Sequence, residues 1–388
     1  MALAVFVPGQ YSSAFGLLGC MAGEVAAAFG RAGAEVNPDR GIRPGEPRVY
    51  VFFNFPADVR TFLAWCRPDI PGAVLLHVFV DHPFALATEV MDALVAIPCY
   101  RMLLPCMDDR HLLSLRWPGL RTVTLHHAIE DRRESVVPHD QRGYDVVLSG
   151  SVATAAEVDA AAERMPSPVR GAAREMVELM STEPATSFVR AFDLCMPSGL
   201  TSGDPWGLMR VVWSYVVPAV NRRRRFGIAR SMQGLRTRVL GSAAWQEVCG
   251  GTIEYGGNIA YEAMVGELRS ARVCVAWNPT QFVVTHSERV LLSMSAGCAT
   301  VTDDRPALRR AFGGCVPAEL VATGRMDQEY REGVDRLLST PGRCEEIGLA
   351  GFETVHRTQT WEQRTPVFAS VIESVLTGAR EAASRGTH

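Results

Sequence analysis

RVCVAWNPTQFVVTHSERVLLSMSAGCATVTDD, residues 272–304, is the stretch whose reading decides the fold. Val273–Ala276 is apolar throughout and reads as a strand buried on both faces. The turn Trp277-Asn278-Pro279 follows, then Thr285-His286-Ser287-Glu288-Arg289, an apolar helix to Ala296, Gly297, and a second apolar strand, Ala299–Thr302, ending in Asp303-Asp304. Strand, crossover helix and strand make a βαβ unit. Thr285 or Ser287 can cap the helix, which leaves backbone N–H groups pointing into the crevice at the strands' carboxyl ends. Such a place binds phosphates through unpaired donors and the helix dipole. Arg289, in the first turn, opposes that dipole, so its charge implies a partner. A bound pyrophosphate fits, and so does a salt bridge to Glu288 or Asp304.

The same alternation extends outward. Leu3–Pro8, Arg48–Phe55, Ala73–Val80, Tyr100–Pro105 and Thr122–His126 read as strands, with helical patterns over Gly16–Gly33, Asp58–Cys66, Ala85–Val95 and Asp109–Leu115. The polar stretch Glu130–Gly143 breaks the pattern and reads as a linker. Tyr144–Leu148, a helical region to about Arg225, Arg236–Leu240 and Thr252–Tyr255 then lead into the opening stretch. The expected fold class is α/β, with two Rossmann-like doubly wound domains, residues 1–140 and 141–360, facing a central cleft. Residues 361–388 read as a C-terminal helix placed to pack back on the first domain.

Composition removes whole mechanisms. The chain of 388 residues has no lysine, so all 39 basic side chains are arginine. A Walker-A lysine, a kinase strand lysine, a Schiff-base lysine and pyridoxal-phosphate chemistry are therefore excluded. A formal net charge of −3 argues against a dedicated nucleic-acid or membrane-surface binder. No apolar run reaches the roughly 18–20 residues of a membrane span. Met1–Pro8 reads as a buried strand rather than a signal peptide, and none of the ten cysteines forms a Cys-x-x-Cys pair. These features fit a reducing cytoplasm. Only Gly9 follows the first strand, so a Gly-x-Gly-x-x-Gly dinucleotide site is absent. Neither His126-His127 nor Asp303-Asp304 has metal-ligand spacing, so no metal and no cofactor is expected.

Residues 286–304 resemble the donor-binding signature of CgeB-type bacterial and phage glycosyltransferases, relatives of the family-1 and family-4 GT-B enzymes. Further segments are similar to that family in the same order. They are Val80-Asp81-His82-Pro83-Phe84, Met107-Asp108-Asp109-Arg110-His111, Tyr144–Ser151, Arg238-Val239-Leu240-Gly241-Ser242 with Trp245, and Thr360-Trp361-Glu362-Gln363-Arg364. The resemblance implies a GT-B enzyme that moves a sugar from a nucleotide-diphosphate donor, a UDP-sugar being favoured, to a hydroxyl acceptor. The acceptor could be a glycan, a protein, a small molecule or a modified DNA base. An epimerase-like enzyme and a silent nucleotide-sugar-binding module share the fold and stay open. The chain departs from the family-4 pattern at Val284 and Leu292, where that pattern has two glutamates, so His286 and Glu288 become the polar candidates at the donor.

The resemblance also implies roles for individual residues. Ser149-Gly150-Ser151 and Gly241 fall in the loops near the donor phosphates, with Thr285, His286, Ser287, Glu288 and Arg289 at the helix start. Tyr255 and Asn258 are candidates to border the base, although core packing and a turn explain them as well. Arg222–Arg225 would offer Arg222 or Arg225 to the diphosphate; the alternative is a solvated helix end, and a nucleic-acid partner is less favoured. Asp81 or His82, just past a strand end in the first domain, would be the base of an inverting reaction, unless Asp81 is the N-cap of a helix starting with Pro83.

Overall fold

The computed structural model describes residues 3–8, 11, 13, 16–38, 46–54, 72–105, 107–200, 203–322, 326–340 and 342–385. The helix expected over Asp58–Cys66 lies outside them. The chain forms two compact units, Met1–Asp131 with Gln359–His388, and Arg132–Thr358.

The first unit holds a parallel sheet of β1 (Ala4–Phe6), β2 (Glu35–Val36), β3 (Arg48–Phe53), β4 (Ala73–Val78), β5 (Tyr100–Leu104) and β6 (Thr122–Thr124), in the order β2-β1-β3-β4-β5-β6. Side chains on both faces of β4 are buried, as its uninterrupted apolar run requires. The helix Leu17–Arg31 buries Leu18, Met21, Ala22, Val25, Ala28 and Phe29, the spacing of one helical face. The C-terminal helix Thr365–Arg385 closes the same core with Phe368, Val371, Ile372 and Val375.

The return of the chain to this unit is pinned by a few residues. Ile129 and Thr360 form a parallel bridge, with Ile129 N–H on Gln359 O at 3.1 Å and Trp361 N–H on Ile129 O at 3.0 Å. Trp361 is 1% exposed, stands edge-on to Phe53 at 6.2 Å, and donates its indole N–H to Glu24 at 2.8 Å. Arg364 donates to the carbonyls of His126 at 3.3 Å and His127 at 3.2 Å.

The second unit repeats the plan with β7 (Tyr144–Ser149), β8 (Thr237–Leu240), β9 (Ile253–Tyr255), β10 (Ala271–Val275), β11 (Ala299–Asp303) and β12 (Glu319–Val321), ordered β12-β11-β10-β7-β8-β9 and parallel throughout. This is the dinucleotide-fold order, and its strand order reverses between β7 and β10. Four helices, Ala155–Glu163, Ser167–Thr182, Phe188–Cys195 and Pro205–Ser231, fill the long β7-to-β8 crossover. Residues 132–143, which read as a linker, are built into this unit instead. Arg142 donates to Ala271 O at 2.8 Å, Val137 O at 2.9 Å and Gly297 O at 2.9 Å, and His139 Nε2 lies 3.1 Å from Gly297 O. A guanidinium at Gly297 also complements the carboxyl end of the helix Glu288–Ser295.

Replacing Trp361 by alanine removes the largest side chain at the chain's return. We expect a loss of about 3–5 kcal/mol of stability, measured by urea unfolding. A loss below about 1 kcal/mol would remove this residue from its assigned anchoring role.

Candidate functional site

The loops after β7, β8 and β10 gather at the switch point of the second sheet. Gly150 follows β7 at φ 137° and Gly241 follows β8 at φ 141°, conformations that suit glycine. Their backbones touch, so a Cβ on Gly241 would fall on the Gly150 carbonyl oxygen. Gly150 N–H donates to Leu240 O at 2.9 Å, and Gly241 N–H to Gly257 O at 2.8 Å. The Trp245 indole donates to Gly150 O at 2.7 Å and the Tyr255 hydroxyl to Gly241 O at 2.9 Å. Both aromatics thus hold the turn.

Two arginines meet this turn. A Cβ on Gly150 would lie 3.2 Å from the guanidinium carbon of Arg225 and 3.2 Å from Nε of Arg289. Arg225 is buried in the helix Pro205–Ser231, with its guanidinium 5.5 Å from the centre of the Trp277 ring. Among the described residues it has no hydrogen bond and no carboxylate within ion-pair distance. Burial first, then Arg289, brings its pKa well below the usual arginine value, against a smaller opposing pull from Glu288. Arg289 has Glu288 at 3.8 Å, while Asp304 is held by Arg309 at 2.6 and 2.7 Å. One buried carboxylate therefore faces two guanidinium groups, a net positive place beside a helix N-terminus.

The helix start differs from the capping expected. Ser287 occupies the N-cap position, but its hydroxyl caps nothing and is buried without a hydrogen-bond partner. Asn278, after β10, accepts the Ser287 N–H on Oδ1 at 2.7 Å. Asp303, at the end of β11, fixes Asn278 in turn by accepting its backbone N–H and side-chain amide, each at 3.0 Å. Tyr330 donates to the same carboxylate at 3.1 Å, and Arg305 pairs with it. Asn278 and Asp303 were not among the expected site residues; an Asn-Pro turn at a strand's carboxyl end was the available signal. Thr285 and His286 are fully buried just ahead of the helix, with His286 Nδ1 3.4 Å from Ser287 O.

Three arginines of the run sit apart from this centre. Arg222 hydrogen-bonds Ala153 O at 2.8 Å and pairs with Glu247; Arg223 pairs with Glu178 at 2.7 Å; Arg224 is buried against Met180 O. Of the four consecutive arginines, Arg225 is the one at the glycine turn. Ser149 ends β7 half-buried, while Ser151 and Asn258 are exposed.

In the first unit, Asp81 accepts a hydrogen bond from Asn54 Nδ2 at 3.0 Å. Asn54 takes a left-handed φ of 40° after β3 and accepts Val80 N–H at 2.8 Å. Its carbonyl is bound by Nε2 of His77, whose Nδ1 lies 2.9 Å from the Tyr100 hydroxyl. A carbonyl only accepts, so Nε2 carries the proton and Nδ1 accepts from Tyr100. Burial lowers the His77 pKa to about 3, which keeps it neutral. The N-cap of the short turn Pro83–Ala85 is His82, not Asp81: Phe84 N–H donates to His82 Nδ1 at 3.3 Å.

Among the described residues, no three His, Cys, Asp or Glu side chains converge to hold a metal ion, and no helix is long and apolar enough to cross a membrane. Residues 222–369 match the family model described as glycosyl transferase-like. No curated protein matches the chain. Among solved structures it is similar to a DNA modifying enzyme, beta-glucosyltransferase, at 9% identity over 96% of this chain and 100% of that one, with a TM-score of 0.54. It is also similar to T4 phage BGT in complex with its UDP-glucose substrate, at 10% identity over 96% and 99%, TM-score 0.54. T4 phage BGT with UDP and Mn2+ matches at 9% identity over 97% and 99%, TM-score 0.53. The chain therefore carries a glycosyltransferase-like domain on a GT-B fold.

Two outcomes test this geometry. Arg225→Met removes a buried charge that faces a like charge, so the variant should melt at or above the parent temperature in buffer without multivalent anions. Pyrophosphate should then raise the melting temperature of the parent and not of the variant. Independently, His77 and His139 have pKa values lowered by burial to about 3 and about 4, below the ordinary 6.5. The unfolded chain protonates them first as pH falls, so stability is lost from about pH 6.5 toward pH 4, less steeply in His77→Gln. Urea midpoints across that range check the sign.

Proposed function

We propose that this chain is a CgeB-type, metal-independent glycosyltransferase that moves a sugar from a nucleotide-diphosphate donor, a UDP-sugar, to a hydroxyl acceptor. The observation that carries the reading is the meeting of Arg225 and Arg289 at the Gly150 turn, beside the amino end of the helix Glu288–Ser295. A diphosphate leaving group gains negative charge as the glycosyl bond breaks, and fixed guanidinium groups stabilise that charge without reorganisation. Two arginines supply it here, which is why no metal is invoked. UDP is favoured because T4 phage BGT, similar in fold, is described with UDP-glucose and with UDP.

For inversion, a base takes the proton of the acceptor hydroxyl while its oxygen attacks the sugar's anomeric carbon and the nucleoside diphosphate departs. Asp81 is the better candidate. The Nδ1 lone pair of His82 is engaged by Phe84 N–H, which leaves the proton of the neutral ring on Nε2. Asp81 is oriented by Asn54, and a carboxylate is a base of the type this step uses. The acceptor is a hydroxyl on a glycan, protein, small molecule or modified DNA base, and the single, mostly apolar-flanked cysteines fit action in the cytoplasm.

The test is nucleotide release from UDP-sugars, read by mass spectrometry with the sugar's fate. Arg289→Ala should weaken donor binding at least about tenfold. Asp81→Asn should lower kcat by roughly 10²–10⁴ with donor affinity kept. Loss of activity on adding EDTA, or unchanged donor affinity in Arg289→Ala, would overturn the scheme.

A further inference from the structure

A second arginine pair lies in the first unit. Between β6, the edge strand of its sheet, and the helix Thr365–Arg385 is a cavity of about 740 Å³. Arg101 and Arg121 line it together with Ser370 and Ser374, and Val367 and Val371 form an apolar wall. The two serines are four residues apart on one helix, so they share a face and both hydroxyls can address one ligand. Among the described residues, no carboxylate lines the cavity.

Arg101 is unusual because it is buried, at 5% exposure. One end of its guanidinium is fixed by Nη1, which donates to Pro98 O at 2.8 Å and Tyr100 O at 2.7 Å. Neither Arg101 nor Arg121 pairs with a carboxylate among the described residues. Burial, followed by the charge of Arg121, lowers the Arg101 pKa to about 10. A buried cation beside a like charge is unfavourable unless an anion completes the site. The volume falls within the roughly 300–1,000 Å³ of small-molecule sites.

We propose that this cavity binds a small organic phosphomonoester. Its phosphate lies between Arg101 and Arg121 with the two serine hydroxyls donating, and its apolar body lies along Val367 and Val371. A phosphate offers three strong acceptor oxygens and about two charges, which suits two guanidinium groups and two hydroxyls better than a carboxylate does. This site does not depend on the glycosyltransfer reading.

The test is calorimetric titration of the full chain with n-octyl phosphate, inorganic phosphate and n-octanol. Saturable 1:1 binding of octyl phosphate is expected, at least tenfold tighter than inorganic phosphate, with none for octanol. Arg121→Glu, an exposed substitution, should weaken it at least tenfold, while Arg225→Met should leave it unchanged. Flotation with phosphatidic acid vesicles tells a bilayer source of the head group from a free one, and sensitivity to Arg121→Glu there also supports the site. Absence of saturable binding, affinity indifferent to Arg121→Glu, or binding displaced by UDP and lost in Arg225→Met would each overturn the proposal.

Discussion

The second unit depends on one backbone contact. Gly241 lies so close to the Gly150 carbonyl that it could not carry a side chain, and both glycines take backbone angles that suit glycine. The contact brings the carboxyl ends of β7 and β8 together at the place where the sheet reverses its strand order. It also clears the space into which Arg225 and Arg289 reach. Trp245 and Tyr255 hydrogen-bond the two glycine carbonyls, which fixes the peptide planes. The sequence reading offered Tyr255 as a residue bordering a base; its hydroxyl is engaged in holding the turn.

A second constraint works from the other side of the switch point. Asp303 gathers Asn278, Tyr330 and Arg305, and Asn278 then takes the N–H of Ser287. This ties the ends of β10 and β11 to the first residue of the helix that carries Arg289. The donor that Asn278 occupies belongs to Ser287 itself, ahead of the first helical turn. The N–H groups of Glu288 and Arg289 receive no cap from the buried Ser287 hydroxyl. A phosphate oxygen is the kind of acceptor that completes such a start.

Much of this architecture was legible in residues 272–304, because apolar runs of strand length and an apolar helical stretch, set between polar turns, mark a buried βαβ unit. The strands that escaped reading, β2 and β12, are edge strands of two and three residues, each with a glutamate and no apolar run. The arginine run was legible as chemistry and not as geometry. Four consecutive helical residues point in four directions, and only packing tells that Arg225 turns to the glycines while Arg222 and Arg223 meet Glu247 and Glu178. The His82 cap escaped for a similar reason. A ring nitrogen can replace a carboxylate as acceptor, and the choice depends on Asn54, which lies 27 residues from Asp81 in sequence and holds it elsewhere.

With arginine as the sole cationic long side chain, burial separates structural from vacant charge. Arg101, Arg142, Arg224, Arg225 and Arg305 are buried. Arg142 spends its donors on the carbonyls of Val137, Ala271 and Gly297, and Arg305 pairs with Asp303. Arg224 bonds Met180 O and feels the attraction of Asp303 and Asp327 against the repulsion of Arg305. Arg225 and Arg101 differ in what opposes the neighbouring arginine: two carboxylates offset Arg305 at Arg224, one, Glu288, offsets Arg289 at Arg225, and none offsets Arg121 at Arg101. Desolvating a guanidinium beside its own kind lowers stability unless something else is gained. Arginine cannot shed its proton at working pH to escape that cost, as a lysine can when buried. A bound anion is the natural counterweight, and both proposed sites rest on it at separate places in the chain.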